Sequence, residues 1–370
     1  MRILWLNWRD IKHPLAGGAE VYTHEVAKRL AARGHEIILV TSRPKGLPPR
    51  EEIDGYTVIR RGGKYTVYLE ARRLYHQLKK EGWRPDVVID EINTVPFLTP
   101  KYVKEPIVAL IHQLCKDCWK YAVHPLAQPL GWWLEQRLHK PYIQAAKRGN
   151  LKVITVSPST AQDLYDLGYP PYAVAIVPNG LDWELYKDCN SQKRDLVTYV
   201  GRITPYKRLE DLLKAWKTVE KSYDAELIIA GRADPRYLAR LTKLAKRLDL
   251  SRVNIKANIT QQEKKALLAE AKLLVYTSVR EGWGQTILEA AACKTPSVVY
   301  NVPGLRDAVK HMETGVIVKP GNIEELAKTI VLVMTEEELG KRLGEMAYLY
   351  AQTFSWDFTA KLFLKEINTS

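Results

Sequence analysis

The sequence predicts an α/β protein of two doubly wound domains, and three observations carry that prediction. Short runs rich in Val and Ile alternate with helix-period segments along most of the chain, an order that builds a mostly parallel sheet with helices on both faces. The rhythm breaks in a polar stretch near residues 180–195 and then resumes. The length, 370 residues, is also about twice what one domain usually takes.

In the first half, Arg2–Asn7, Glu36–Ser42, Tyr56–Arg61, Asp86–Ile92, Pro106–Gln113 and Lys152–Ser157 read as strands. Helix-period segments lie between them: Ala19–Arg33, stopped by Gly34, then Tyr65–Glu81, then Gly131–Arg148, stopped by Gly149. Val174–Pro178 leads into the turn Asn179-Gly180, and Tyr186 to Asp195 lacks apolar periodicity. Beyond it, Leu196–Gly201, Glu226–Gly231, Val253–Ala257, Leu273–Ser278 and Ser297–Tyr300 read as strands. Leu209–Ser222, Arg236–Asp249, Gln261–Ala271 and Gln285–Cys293 fill the gaps as helices. The end reads as helices without strands: Ile323–Met334, Glu336–Tyr350 and Trp356–Ile367, the last with Ser355 as N-cap. Ligands of such folds usually sit at strand carboxyl ends and in the cleft between two such domains.

Composition narrows the function. No stretch approaches the ~18 apolar residues of a membrane span, and the opening apolar run is too short for a signal peptide, so the chain reads as soluble and cytoplasmic. Four Cys in a chain of this length do not make a disulfide scaffold, which predicts reduced thiols. There is no phosphate-binding G-x-x-x-x-G-K-[ST] and no G-x-G-x-x-G after the first strand. His24-Glu25 opens like a zinc protease motif, but Lys28 stands where the second His belongs, and Cys115 with Cys118 has no second pair. No metal site is expected.

The net charge of +14, with 10 Trp and 20 Tyr against 4 Phe, points to an anionic partner: nucleic acid, a membrane surface or a phosphorylated substrate. Three local patterns favour the last. Gly17-Gly18-Ala19-Glu20 sits between the first strand and its helix, where amides and the helix dipole favour an anion. Arg202 and Lys207 flank the turn after the second domain's first strand, a clamp suited to a diphosphate. Glu281-Gly282-Trp283-Gly284-Gln285-Thr286-Ile287-Leu288-Glu289 follows a strand and opens a helix. Its acids are separated by at most about 12 Å of helical rise, more than the ~5–9.5 Å of two carboxylates acting on one glycosidic bond.

Together with Val177-Pro178-Asn179-Gly180-Leu181-Asp182 and Ala230-Gly231, these motifs resemble the retaining nucleotide-sugar glycosyltransferases of family 4. The resemblance covers nearly the whole chain. It implies the GT-B fold, two Rossmann-like domains facing across a cleft, with a final helix crossing back to the first. The implied domains are an acceptor-side one, 1–180 plus 355–370, and a donor-binding one, 181–354. Carried over residue by residue, it implies that Arg202 and Lys207 neutralise the donor diphosphate and that Glu289 binds the donor ribose. Glu281 lies near the transferred sugar, and amides around Trp283, Gly284, Gln285 and Thr286 hold its hydroxyls and the phosphate. The loop at Gly18 closes over the diphosphate, His112 lies near the donor sugar, and Glu20 is a candidate acceptor contact. Gln113 follows His112 where the family often has Asp, which leaves His112 without an obvious acid partner, and Cys293 replaces a small residue as packing. No cofactor is required beyond the nucleotide diphosphate sugar; whether it carries UDP, GDP or ADP stays open. A nucleotide-sugar epimerase shares the architecture and is the main alternative. A nucleic-acid-binding protein is a lesser one, since no RNA-binding motif appears and basic residues are interleaved with acids.

The charge is not evenly spread. Residues 60–152 hold 17 basic and 8 acidic side chains, with several Trp and Tyr. That points to peripheral docking on an anionic membrane at its cytoplasmic face and to a sugar or lipid-linked acceptor, with no nucleic acid.

Overall fold

The computed structural model describes residues 1–122, 124, 127–189 and 191–368. The chain divides into two compact units: residues 1–180 with the final helix, and residues 181–355.

The first unit is built on an eight-stranded sheet. Its strands are β1 (Arg2–Leu6), β2 (Glu36–Thr41), β3 (Arg50–Ile53), β4 (Tyr56–Arg60), β5 (Val87–Glu91), β6 (Ile107–Ile111), β7 (Leu151–Thr155) and β8 (Val174–Ile176), in the order β3-β4-β2-β1-β5-β6-β7-β8. Every pairing is parallel except β3 with β4. The helices are α1 (Gly18–Ala32), α2 (Val67–Lys80), α3 (Trp119–Ala122), α4 (Gln128–Lys147) and α5 (Pro158–Leu167). β5 and β6 are buried along their whole length, as a strand covered by helices on both faces must be.

The second unit has six parallel strands in the order β11-β10-β9-β12-β13-β14. They are β9 (Arg194–Val200), β10 (Glu226–Gly231), β11 (Val253–Ala257), β12 (Ala271–Tyr276), β13 (Ser297–Tyr300) and β14 (Gly315–Val318). Its helices are α6 (Trp183–Tyr186), α7 (Leu209–Ser222), α8 (Pro235–Arg247), α9 (Gln261–Glu270), α10 (Gln285–Ala292), α11 (Leu305–Ala308), α12 (Ile323–Thr335) and α13 (Glu337–Ala351). Gly231 shows why a motif glycine is needed: at φ +135° its absent Cβ would lie 2.0 Å from the Gly201 carbonyl oxygen. The last helix, α14 (Trp356–Asn368), packs in the first unit. Phe363 stacks on Trp5 at 5.2 Å, and Trp356 meets Tyr22 edge-on at 5.8 Å. No helix among the described residues is long and apolar enough to cross a membrane.

Several elements differ from the sequence expectation, which has no counterpart for β3, β14, α3, α5, α6 or α11. β3 forms a hairpin with β4 through Asp54-Gly55, both at positive φ, and Asp-Gly is a turn signal that matches strand twist. α5 is capped by Ser157, whose Oγ accepts from the Thr160 amide at 3.2 Å, and starts with Pro158. β14 is only four residues long.

One expectation is corrected. Cys189 and Cys293 form a disulfide, with Cα atoms 5.0 Å apart, so not all four thiols are reduced and Cys293 does more than fill space. The expectation rested on chain length and compartment, neither of which registers two cysteines brought together by the fold from 104 positions apart.

Candidate functional site

In the second unit, β9 ends at Val200 and the chain turns through Gly201 and Arg202 into a short 3-10 turn, Pro205–Lys207, before α7. Tertiary hydrogen bonds hold this turn. The Thr277 hydroxyl donates to the Lys207 carbonyl at 2.9 Å, the Val279 amide to the Tyr206 carbonyl at 2.9 Å, and the Tyr199 hydroxyl to the Arg202 carbonyl at 2.8 Å. Two strand ends, of β9 and β12, thus fix one cationic loop.

Lys207 is buried, and its Nζ is ion-paired with Glu281. Burial is the largest single influence and depresses the ammonium pKa, but the charge and hydrogen bond of Glu281 together with Tyr206 outweigh it and the net shift is upward. Ser278 Oγ donates to the same Glu281 oxygen at 2.6 Å. Arg202 donates to the Tyr206 hydroxyl at 2.7 Å, and Lys207 lies 4.8 Å from the centre of that ring. Sequence-distant Arg202, Lys207 and Glu281 are therefore brought together around Tyr206. Glu281 is positioned by its backbone as well: its amide donates to Pro303 at 3.0 Å, and a Cβ on Gly304, at φ +81°, would sit 2.2 Å from its carbonyl oxygen.

α10 begins at Gln285, after Gly284 at φ +91°. Its first amides, those of Gln285 and Thr286 included, have no acceptor within the helix and aim along its axis. Trp283 is buried against Phe354, ring centres 5.4 Å apart, with its indole N–H unbonded. Glu289, one turn into the helix, is buried and ion-paired with Lys264 of α9, and burial with the Glu289 charge raises the pKa of Tyr186 of α6. The two motif acids therefore have separate basic partners, Lys207 for Glu281 and Lys264 for Glu289.

In the first unit, the loop after β1 leads to Gly17 and Gly18. The Gly17 amide donates to Glu20 at 2.6 Å, and Arg9 donates to the other Glu20 oxygen at 2.8 Å. Burial raises the Glu20 pKa even so, the Arg9 charge only partly opposing it. Glu20 thus caps α1 and braces the loop. A Cβ on Gly18 would meet no protein atom within 4 Å, so internal packing does not demand glycine there.

His112 follows β6, and its Nε2 lies 3.2 Å from Glu91 at the end of β5. Glu91 is fully buried and also accepts from Trp5 Nε1 at 2.8 Å and Thr23 Oγ1 at 2.5 Å. Tyr22 closes over His112 edge-on at 5.2 Å. The acid partner that the residue after His112 fails to supply comes instead from the neighbouring strand. The available signal was an acid pair, Asp90-Glu91, ending an otherwise apolar strand. Asp90 serves the fold: Thr99 Oγ1 at 2.7 Å and Tyr142 donate to it, while burial raises its pKa. Among the described residues, no group of three or more His, Cys, Asp or Glu side chains is placed to hold a metal ion.

Comparison with known proteins is consistent across both units. Residues 16–185 match the family described as Glycosyltransferase Family 4, and residues 184–350 the one described as Glycosyl transferases group 1. The chain is 26% identical over 396 residues to a glycogen synthase of Mycobacterium tuberculosis, covering 97% of this chain and 92% of that protein. It superposes on sucrose-phosphate synthase of Thermosynechococcus elongatus with a TM-score of 0.80 at 21% identity, covering 98% of this chain and 97% of the other. HepE of Anabaena, solved in complex with UDP and glucose, matches over 100% of both chains with a TM-score of 0.77 at 18% identity. These likenesses establish the fold: two Rossmann-like domains of the GT-B type.

Proposed function

The chain belongs to glycosyltransferase family 4, and from that membership we propose that it moves a hexose, with retention, from a nucleotide diphosphate sugar to an acceptor hydroxyl. The observation that carries this reading is the buried Lys207, held beside Arg202 and against Glu281 at the carboxyl end of β9. Breaking the sugar–phosphate bond builds negative charge on the diphosphate, and preorganised cations stabilise it at the moment it forms. Lys207 and Arg202 supply that charge, and the proposed reaction calls on no cofactor beyond the nucleotide diphosphate sugar. Glu281 keeps Lys207 protonated and in place, and contacts the transferred sugar. Glu289 takes the donor ribose, and the first-turn amides of α10, with the Trp283 loop, take the remaining sugar and phosphate oxygens. Attack on the face from which the diphosphate departs preserves configuration, with the leaving phosphate accepting the acceptor's proton.

In this reading the second unit binds the donor and the first the acceptor. His112, held by Glu91, and the Gly18 loop are the first unit's candidate residues for this reaction. Glu20 contributes by bracing that loop. Thermal stabilisation by UDP-, GDP- and ADP-sugars tests the donor, since a ligand at 100 times its dissociation constant adds about 2.7 kcal/mol. NMR of the product anomer tests retention; an inverted product overturns the same-face mechanism.

The acceptor is proposed to be lipid-linked or otherwise anionic, met at a membrane. α4 exposes Leu130 (61%), Trp133 (50%) and Leu134 (43%), and the Arg137 guanidinium lies 5.2 Å from the centre of the Trp133 ring. Of the acids within residues 60–152, Asp90, Glu91 and Glu135 are buried, so the surface is more basic than composition suggests. Each Lys or Arg near an anionic headgroup layer contributes about 1 kcal/mol. Flotation with anionic vesicles at low and high salt is expected to show salt-sensitive binding; no binding at either overturns the docking.

A further inference from the structure

The segment joining the units reads in sequence as a polar linker, yet it packs against the Trp283 loop and α10 of the second unit. Trp183 Nε1 donates to the Phe354 carbonyl at 3.0 Å, and the Phe354 ring packs on Trp283 of the Glu281 loop. Three residues on, Tyr186 is buried; its hydroxyl accepts from Gln261 Nε2 at 3.3 Å, and burial together with the neighbouring Glu289 charge raises its pKa. With the amide already donating to the oxygen, the phenol's own proton is left for the carboxylate. Cys189 is bonded to Cys293, and Lys193 Nζ donates to the Cys293 carbonyl at 2.8 Å and to Thr295 Oγ1 at 2.5 Å. Positions 289 and 293 are four apart, so they share one face of α10 and its C-cap. The segment therefore lies along that face and meets it at two successive turns.

We propose that residues 183–189 form a strap that positions Glu289 for the donor, with Tyr186 as the positioning residue and the Cys189–Cys293 disulfide as its fastening. The proposal rests on the reading of Glu289 as the ribose ligand. A carboxylate takes two vicinal hydroxyls well in one orientation only. Lys264 pulls it toward α9, and the Tyr186 hydroxyl fixes its remaining rotation. Without the disulfide, Tyr186 sits on a polar segment with nothing else covalent to hold it against α10.

The test is calorimetric binding of UDP, GDP and ADP, each beside its 2′,3′-dideoxy analogue, to the whole chain. In the wild type, the diphosphate that binds is expected to outbind its dideoxy analogue by tenfold or more. Glu289→Gln should bring that ratio close to one. Tyr186→Phe should cut it at least threefold, raising the KM for the donor sugar while kcat stays within twofold. Cys189→Ser with Cys293→Ser should lower the ratio similarly, and circular dichroism with the affinity for inorganic pyrophosphate shows whether the unit remains folded. A Glu289→Gln variant that keeps the full ratio, or a wild type that binds none of the three diphosphates, removes the ribose reading and the strap with it. A collapsed ratio in Glu289→Gln with an unchanged one in Tyr186→Phe leaves the ribose reading standing and overturns the strap.

Discussion

The two units share a chain trace, in which a first strand runs into a glycine turn and then a helix, and differ in what they bury at the strand ends. Among the described residues, the first unit buries the acids Asp10, Glu20, Glu25, Asp90, Glu91, Glu135 and Asp163 with Arg60 and His139. The second buries Lys207 and Arg280 with Asp211 and Glu289. A buried charge persists only when it is paired and hydrogen-bonded, and each unit meets that demand in its own way. Glu91 is satisfied by Trp5, Thr23 and His112; Lys207 by Glu281 and the face of Tyr206. The acids of the first unit hold donors in place: His112 through Glu91, the Gly17 amide through Glu20. Under the proposed function, Lys207 of the second is the charge that meets the donor phosphate. The doubly wound sheet gives both units the same place for a site, and the buried charges decide what each one is for.

The largest difference between the units should appear on breaking the disulfide, which is confined to the second. Closing a loop of about a hundred residues is worth roughly 4.7 kcal/mol in the chain-entropy model. Peptide-resolved hydrogen exchange of Cys189→Ser should lose protection across residues 181–355 and keep it in the first unit; uniform loss would show that the units do not respond separately. Next is Glu91→Ala, which strands the Trp5 indole inside the first unit and leaves the Thr23 hydroxyl only the Ala19 carbonyl, at a cost of about 1–3 kcal/mol. Its turnover should fall to the level of His112→Ala, and a variant as active as wild type would show that Glu91 only supports the core.

A subtler contrast lies in pH. Burial lowers the His139 pKa to about 4 in the first unit and that of Lys193 to about 7 in the second. As pH falls from 6.5 to 4, the unfolded chain takes up a proton that folded His139 refuses, so His139 erodes stability on the acid side. From pH 7 up to 10.5, the unfolded chain keeps a proton that folded Lys193 has shed, so Lys193's penalty is relieved as pH rises. Stability profiles of His139→Gln and Lys193→Met should therefore each flatten in one window only, acid for the first and alkaline for the second. Smallest is the stability effect of Gly18→Ala, expected within about 0.5 kcal/mol of wild type, with any loss appearing in turnover. A variant that unfolds would mean the glycine serves packing.

Much of this was legible in sequence because it is local. Alternating strand and helix periods gave the two sheets, and Arg202, Lys207, Glu281 and Glu289 stand in motifs read along the chain. What escaped is what the sheets bring together. Glu91 reaches His112 because β5 and β6 are neighbours, 21 positions apart in sequence. The disulfide and the Tyr186–Glu289 contact exist because a polar linker lies down along α10. The α5 helix and the β3–β4 hairpin are signposted, by Ser157-Pro158 and by Asp54-Gly55, and only the four-residue β3 is too short a run for its period to register.

The most direct measurement is calorimetric titration of the nucleoside diphosphate that stabilises the wild type into Lys207→Ala and His112→Ala. If the buried cation of the second unit holds the diphosphate, Lys207→Ala should weaken its binding at least tenfold and reduce turnover by about a hundredfold, while His112→Ala leaves its affinity within twofold. Wild-type diphosphate affinity in Lys207→Ala would contradict that assignment.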